Sequence, residues 1–413
     1  MKKKIVMIGT FDTKGREFAC LYSELKKNYD NVMTINVGIM GSTELFPVDC
    51  EAAGVAKLGG IDLAELRKKA DRGLAIRIMC DGAKKLVDNL YAAGEIAGII
   101  GMGGGGGTAI ATTAMRNLPV GFPKLCISTL ASGETSPYVG TKDIVLFPSI
   151  VDICGINRFS RQIISRAAGA FCGMVNQPVT GCHQDDLPII FISMFGNTTK
   201  CVEQCAKLLE QRGYDSMVFH ATGIGGRALE ELTLEHYPVA VLDITTTEWA
   251  DEVAGGVLTA GPSRLDGPGN IGIPHLVVPG CIDMVNFGPM NTVPAHFKKA
   301  GRQFYEWTPM VTLMRTNREE NEKIGKIFAE KANRARGPVK FLFPLRGFSV
   351  LDSEGNLFYD TGVNSVLLNT LKAHIKPDIE IAAIDVNIND RLFSEKAVSM
   401  LLEMLEKQNS QKQ

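Results

Sequence analysis

The sequence predicts an α/β protein of two Rossmann-like, doubly wound domains with mostly parallel sheets, related by internal duplication. Three observations predict it. Short apolar runs alternate with amphipathic helical patterns along the chain, as expected for parallel strands joined by right-handed crossovers. A strand–helix–strand pattern near the start returns 185 residues later. A run of five glycines, Gly103 to Gly107, stands between an apolar stretch and a helical pattern.

The first unit of the repeat opens on the strand run Ile5-Val6-Met7-Ile8-Gly9-Thr10 and the loop Phe11 to Gly15. Phe18, Leu21, Tyr22 and Leu25 then recur at helical spacing, and a turn at Tyr29-Asp30 leads to the strand Val32 to Val37. The second copy runs from Ile189 through a helix face of Val202, Cys205, Ala206 and Leu209 to the strand Met217 to His220. The shift superposes Tyr29-Asp30 on Tyr214-Asp215, Gly38-Ile39 on Gly223-Ile224, and Gly41 on Gly226. Further strands are expected at 98–101, 124–128 and 144–147 in the first half. In the second half they are expected at 239–243, 275–279, 310–314, 340–344 and 380–386. The stripe Ile156, Phe159, Ile163, Ile164, Ala167 and Phe171 predicts a long helix closing the first half. The polar, proline-containing segment 177–186 then separates a glycine-loop nucleotide-binding domain, 1–180, from a second Rossmann-like domain, 187–413.

A chain of 413 residues is long enough for two or three cores. Net charge of −1 gives no electrostatic footprint for nucleic acid. The 10 cysteines lack zinc-site spacing; Cys201 and Cys205 lie one helical turn apart with no histidine near them in sequence, and His183 beside Cys182 lacks partner ligands. They read as free thiols of a reducing compartment. No signal peptide or membrane-length apolar run is visible, so a soluble cytoplasmic protein is expected.

A glycine loop between strand and helix leaves backbone N–H groups open to an anion at the positive end of the helix dipole. Gly103, Gly104, Gly105, Gly106, Gly107 and Thr108 are therefore expected to hold phosphate. Gly101 to Gly106 satisfies G-x-G-x-x-G, but Thr108 stands where a P-loop has lysine, so this is no Walker A loop. The alternative is a tight turn that binds nothing. Ligands of doubly wound sheets sit beyond the carboxyl ends of the strands. In the first half those ends carry Asp12, Thr13 and Lys14, and then Ser128, Thr129, Ser132, Gly133 and Glu134. Lys14 is suited to neutralising phosphate, the hydroxyls to donating to it, and Asp12 or Glu134 to holding hydrated magnesium. Asp12 and Thr13 are equally suited to capping the next helix. In the second half, Asp243, Asp283 and Arg346 are the candidates for acid–base or transfer chemistry and Arg264 for anion binding. His220 and His275 lie near strand ends, where a packed or surface imidazole is the simpler reading, and Cys281 reads as an inert thiol.

Several of these stretches carry a family resemblance. Gly9-Thr10-Phe11-Asp12-Thr13-Lys14-Gly15, the glycine run, Ser128 to Gly133, Asp152 to Asn157 and Pro279-Gly280-Cys281-Ile282-Asp283 resemble the ATP-binding family of the plant tomato-mosaic-virus resistance protein, in its stand-alone microbial form. The resemblance extends from Met1 to about Leu405 by motif order. It implies two Rossmann-like subdomains, ATP binding and a homodimer; Mg2+ with the ATP is expected from the strand-end carboxylates. Plant members carry a further barrel-type domain for which 413 residues leave no room, so a barrel-type enzyme is an expected separate partner. The antiviral activity of plant members is not carried over.

Together these readings define an ATP-binding protein, or one for a related phosphorylated ligand. As an enzyme it would transfer a phosphoryl or related group to a small metabolite in an interdomain cleft. The alternatives are a nucleotide-dependent regulatory or partner-binding protein without turnover, and a glycosyltransferase-like pair of domains using a sugar nucleotide.

Overall fold

The computed structural model describes residues 3–177 and 186–412. The chain divides into two compact units, Met1–Gly181 and Cys182–Gln413. Most of the expected boundary segment, including Cys182 and His183, lies outside the described residues.

The first unit holds the strands β1 (Lys4–Gly9), β2 (Val32–Asn36), β3 (Ile96–Gly103), β4 (Lys124–Ser128) and β5 (Val145–Pro148). All pair in parallel, in the order β2-β1-β3-β4-β5. Residues of β1 are buried on both faces, as a parallel sheet requires. Val6 and Ile8 pack with the helices Ala52–Leu58, Arg72–Ala92 and Gly105–Arg116. Ile5 and Met7 point the other way, against Phe11–Asn28 and Arg158–Asn176. The period of two along one strand thus builds two cores.

The second unit holds β6 (Ile189–Met194), β7 (Asp215–His220), β8 (Ala240–Thr245), β9 (His275–Gly280), β10 (Met284–Phe287), β11 (Phe304–Thr308), β12 (Val311–Arg315), β13 (Val339–Pro344) and β14 (Ile381–Ile384). Its parallel sheet runs β14-β13-β9-β8-β6-β7. Read from the other edge, the order is second, first, third, fourth strand, as in the first unit. The shift of 185 residues carries β1 onto β6 residue for residue. Common winding and common offset both support the duplication. Cys201 and Cys205 are core thiols between this sheet and the helix Arg391–Lys412.

A strand forms at the expected 310–314, but its place in the parallel sheet is corrected. It forms β12, the centre of a separate antiparallel sheet ordered β10-β12-β11. Only Pro309 and Met310 connect β11 to β12, and so short a link permits antiparallel pairing alone. Among the described residues no helix is long and apolar enough to cross a membrane.

Candidate functional site

The winding of the first sheet reverses between β1 and β3. Loops leaving two such strands run apart and leave a crevice. A cavity of about 630 Å³ lies there, within the roughly 300–1,000 Å³ of small-molecule sites. Thr10, Asp12, Thr13 and Lys14 line it from the end of β1, Val37 to Met40 from the end of β2, and Gly103 to Gly107 from the end of β3. Leu66, Ala75, Ile76, Met79 and Ile110 give it an apolar wall.

The glycines are not equivalent. A Cβ on Gly103 would lie 2.8 Å from Cα of Gly107, so packing requires glycine there. At Gly104, Gly105 and Gly106 the nearest atoms would be 3.7, 4.0 and 3.4 Å away, which is ordinary contact. None of the three has a positive φ. Neither packing nor backbone conformation demands their bareness, although glycine in a helix costs up to about 1 kcal/mol against alanine. The helix Gly105–Arg116 has no side-chain cap on Gly104. Its first backbone bond runs from Thr108 N to Gly104 O at 2.8 Å. Helix geometry leaves the N–H groups of Gly105, Gly106 and Gly107 without intrahelical acceptors.

The expected loop after β1 is the first turn of the helix Phe11–Asn28, whose N-terminus has no side-chain cap, so the capping expected of Asp12 and Thr13 is corrected. Asp12 instead joins that turn to the segment after β2. Its Oδ1 accepts from Thr13 N at 2.7 Å and its Oδ2 from Met40 N at 2.9 Å. Gly38 permits this, since a Cβ there would lie 2.1 Å from Asp12 Oδ1. Asn36 Oδ1 accepts from Phe11 N and Gly38 N and ties the same helix start to the segment after β2. Lys14 lines the cavity but donates its Nζ to the carbonyl of Ile153.

Other expected contacts are corrected. Thr108 and Ser128 are buried and share a hydroxyl bond of 2.8 Å, and Thr108 Oγ1 also donates to Gly103 O. They brace the loop from beneath. Thr129 follows β4 directly and adjoins the glycine run: its N–H donates to Gly103 O at 3.3 Å and its Oγ1 lies 3.7 Å from the place of a Cβ on Gly104. Ser132, Gly133 and Glu134 lie further along the same loop and do not line the cavity. Glu134 accepts from the backbone and hydroxyl of Ser136, at the start of the next helix. Among the described residues no group of three or more His, Cys, Asp and Glu side chains is placed to hold a metal. Asp12 lines the cavity, but both of its oxygens already accept backbone N–H groups.

Sequence reasoning missed the segment between Leu63 and Met79. The short helix Leu63–Lys68 supplies Leu66 and Arg67, and Arg67 Nε donates to Ile39 O. Ala70 sits at φ +49°, a left-handed conformation that a side chain disfavours. Asp71 caps the helix Arg72–Ala92 by accepting from Leu74 N at 2.9 Å. The signal was present in an Asp cap before the four-residue spacing of Ala75, Met79, Ala83 and Val87.

In the second unit Asp243 and Arg264 are partners in a closed ionic core. Two guanidinium nitrogens of Arg264 reach Asp243 at 2.6 and 2.5 Å; the guanidinium also meets Glu248 at 2.7 Å and Glu230 at 3.1 Å. Ser193 and His275 complete the contacts to Asp243. Burial opposes the Asp243 charge, but Arg264 and His275 outweigh it and hold the acid well below its usual range. Both residues are fully enclosed, so the expected transfer role of Asp243 and anion-binding role of Arg264 give way to mutual neutralisation. Asp283 is also enclosed. Ser349 donates to its Oδ2 at 2.8 Å, and its buried Oδ1 has no hydrogen-bond partner. Burial, then the charge of Asp352, pushes it up to about 7. Arg346 is exposed and paired with Asp385 at 2.9 Å. The three expected catalytic residues therefore form no common open site. His220 is exposed and stacks on Phe195, while burial pushes the Cys281 thiol far up.

Where the first sheet opens at its winding point, the second is packed. Asn197 and Thr198 after β6, and Thr246 and Thr247 after β8, are buried, and Thr198 and Thr245 share a hydroxyl bond of 2.7 Å.

These features define a two-domain, doubly wound α/β protein with an open crevice at the switch point of its N-terminal sheet. The chain belongs to the uncharacterised protein family UPF0261, whose N-terminal domain matches residues 3–180 and whose C-terminal domain matches residues 187–405. A UPF0261 protein of Clostridium tetani is 47% identical over 98% of this chain and 100% of its own length. The ToMV resistance protein Tm-1(GCR237) of Solanum lycopersicum is 37% identical over 97% of this chain, which spans 56% of the tomato protein. Among solved structures, an S. aureus MnaA–UDP co-structure aligns at TM-score 0.23 and 9% identity, covering 67% of this chain and 79% of that one. A likeness that distant bears on neither fold nor ligand.

Proposed function

We propose that the N-terminal unit binds ATP, or a close phosphorylated relative, in the cavity between the ends of β1 and β3. One observation carries the reading. Gly104, Gly105 and Gly106 are bare where the fold does not require it, and the helix they open has unused N–H groups facing a cavity of about 630 Å³. A phosphate seated there would satisfy those donors and the helix dipole together. The apolar wall of Leu66, Ala75, Ile76 and Met79 suits the flat face of a base. Magnesium would accompany the phosphates, with Asp12 the cavity carboxylate able to share it.

Group transfer to a metabolite is the enzymatic form of this proposal. Regulation without turnover is favoured by one detail: both carboxylates lining the cavity, Asp12 and Asp71, already accept backbone N–H groups. A homodimer is proposed from the family resemblance, and sedimentation tests it.

Calorimetry of the full chain with ATP and magnesium tests the ligand. Binding by the native protein, with affinity lost by about tenfold or more in Gly105→Val, is the expected result, since a β-branched side chain would cover the amides. Absence of nucleotide binding, or unchanged affinity in the variant, refutes the proposal. Preference for UDP-sugars over ATP would replace the ligand class. Release of ADP in a cell extract would select transfer over regulation.

A further inference from the structure

Three cations line the cavity: Lys14, Arg67 and Arg72. Lys14 and Arg67 each donate to a backbone carbonyl. Among the described residues, the Arg72 side chain has no hydrogen bond or ion pair within the protein. The side chain is exposed, but the backbone that carries it is fixed. Arg72 opens its helix directly after the cap Asp71 and two residues after the left-handed Ala70.

The helix face is ordered along its length. Arg72, Ala75, Ile76 and Met79 follow helical spacing and all line the cavity. Ile76 Cδ1 lies 3.4 Å from the place a Cβ would take on Gly106. Arg72 stands four residues earlier, so its Cβ is roughly 5–6 Å from that of Ile76 on the same face. Its guanidinium is therefore within a side chain's reach of the glycine run. A cation in the first turn of a helix opposes the helix dipole. Folding alone gains nothing from this arginine, whereas an anion in the cavity would.

We infer that Arg72 grips a second phosphate of the nucleotide seated on Gly105 to Gly107, and so sets a preference for polyphosphate over monophosphate ligands. The inference rests on the proposed nucleotide site. A guanidinium fork matches phosphate oxygens in pairs, which a lysine ammonium cannot do.

The test titrates the full-length native protein, Arg72→Ala and Arg72→Lys with AMP, ADP and ATP in magnesium, and records ligand-free melting. The native protein should bind ADP and ATP more tightly than AMP. Arg72→Ala should lose about tenfold or more for ADP and ATP and less than roughly threefold for AMP, with Arg72→Lys between. Its ligand-free melting temperature should be unchanged or higher, because the opposed dipole is relieved. Equal losses for all three nucleotides, or none, overturn the role of Arg72 and leave the nucleotide site standing. A lower ligand-free melting temperature makes Arg72 a structural residue and also overturns it. Failure of the native protein to bind any nucleotide refutes the site itself.

Discussion

Gly38 and Gly105 line one cavity for opposite reasons. Gly38 is bare because Asp12 occupies the space of its Cβ, whereas the nearest protein atom to a Cβ on Gly105 is 4.0 Å away. Gly38→Ala should displace Asp12, release Met40 N and lower thermal stability by about 1–3 kcal/mol together with nucleotide affinity. Gly105→Ala should hold or raise stability, by up to about 1 kcal/mol, while affinity falls. Melting and calorimetry on the two variants separate these outcomes; parallel losses in both would show that the glycine run serves packing. The glycine run was readable from sequence because its place is local, a helix start directly after a strand. Asp12 was readable only as a residue near a strand end: the expected cap is absent, and its bond from Met40 N spans 28 residues. Asp243 and Arg264 were misread for a physical reason. Whether a strand-end charge meets water or a counter-ion depends on distant segments, and Arg264 is neutralised by carboxylates 16 to 34 residues away.

At the scale of elements, the cavity depends on a wall that is not part of the sheet. The helix Arg72–Ala92 starts where it does because Asp71 accepts from Leu74 N. Asp71→Ala should cost about 1 kcal/mol of stability, measured by urea unfolding, and should fray the turn carrying Arg72. Unchanged unfolding would mean that the cap is dispensable. The repeated strand–helix–strand unit could be read ahead of the structure because its apolar spacing repeats at a fixed offset. The wall was missed because it lies beyond the repeat, which ends at Gly41, although the Asp71 cap and the apolar spacing after it were visible. The antiparallel trio β10, β11 and β12 escaped for another reason. A short apolar run has the same local pattern in either kind of sheet, and only its pairing partners distinguish them.

For the whole molecule, buried acids set the response to pH. Asp251 is pushed up to about 7 by burial, eased by bonds from Asn286, and Asp283 reaches about 7 through burial and Asp352. Unfolding returns both toward their ordinary value of 3.8. Between these limits the folded chain holds more protons than the unfolded one, so stability falls as pH rises from about 4 to 7. Urea midpoints should be higher at pH 5 than at pH 8, and Asp283→Asn should flatten the slope. A midpoint that climbs across this range would mean that the acids are already ionised in the folded chain.

One winding pattern, used twice, ends in an open mouth in one half and in a knot of carboxylates, arginine and threonines in the other. Damage to the chain should therefore sort by half. Lesions in the knot would thin the population of intact molecules, while lesions beside the glycines would leave the population whole and empty its hands.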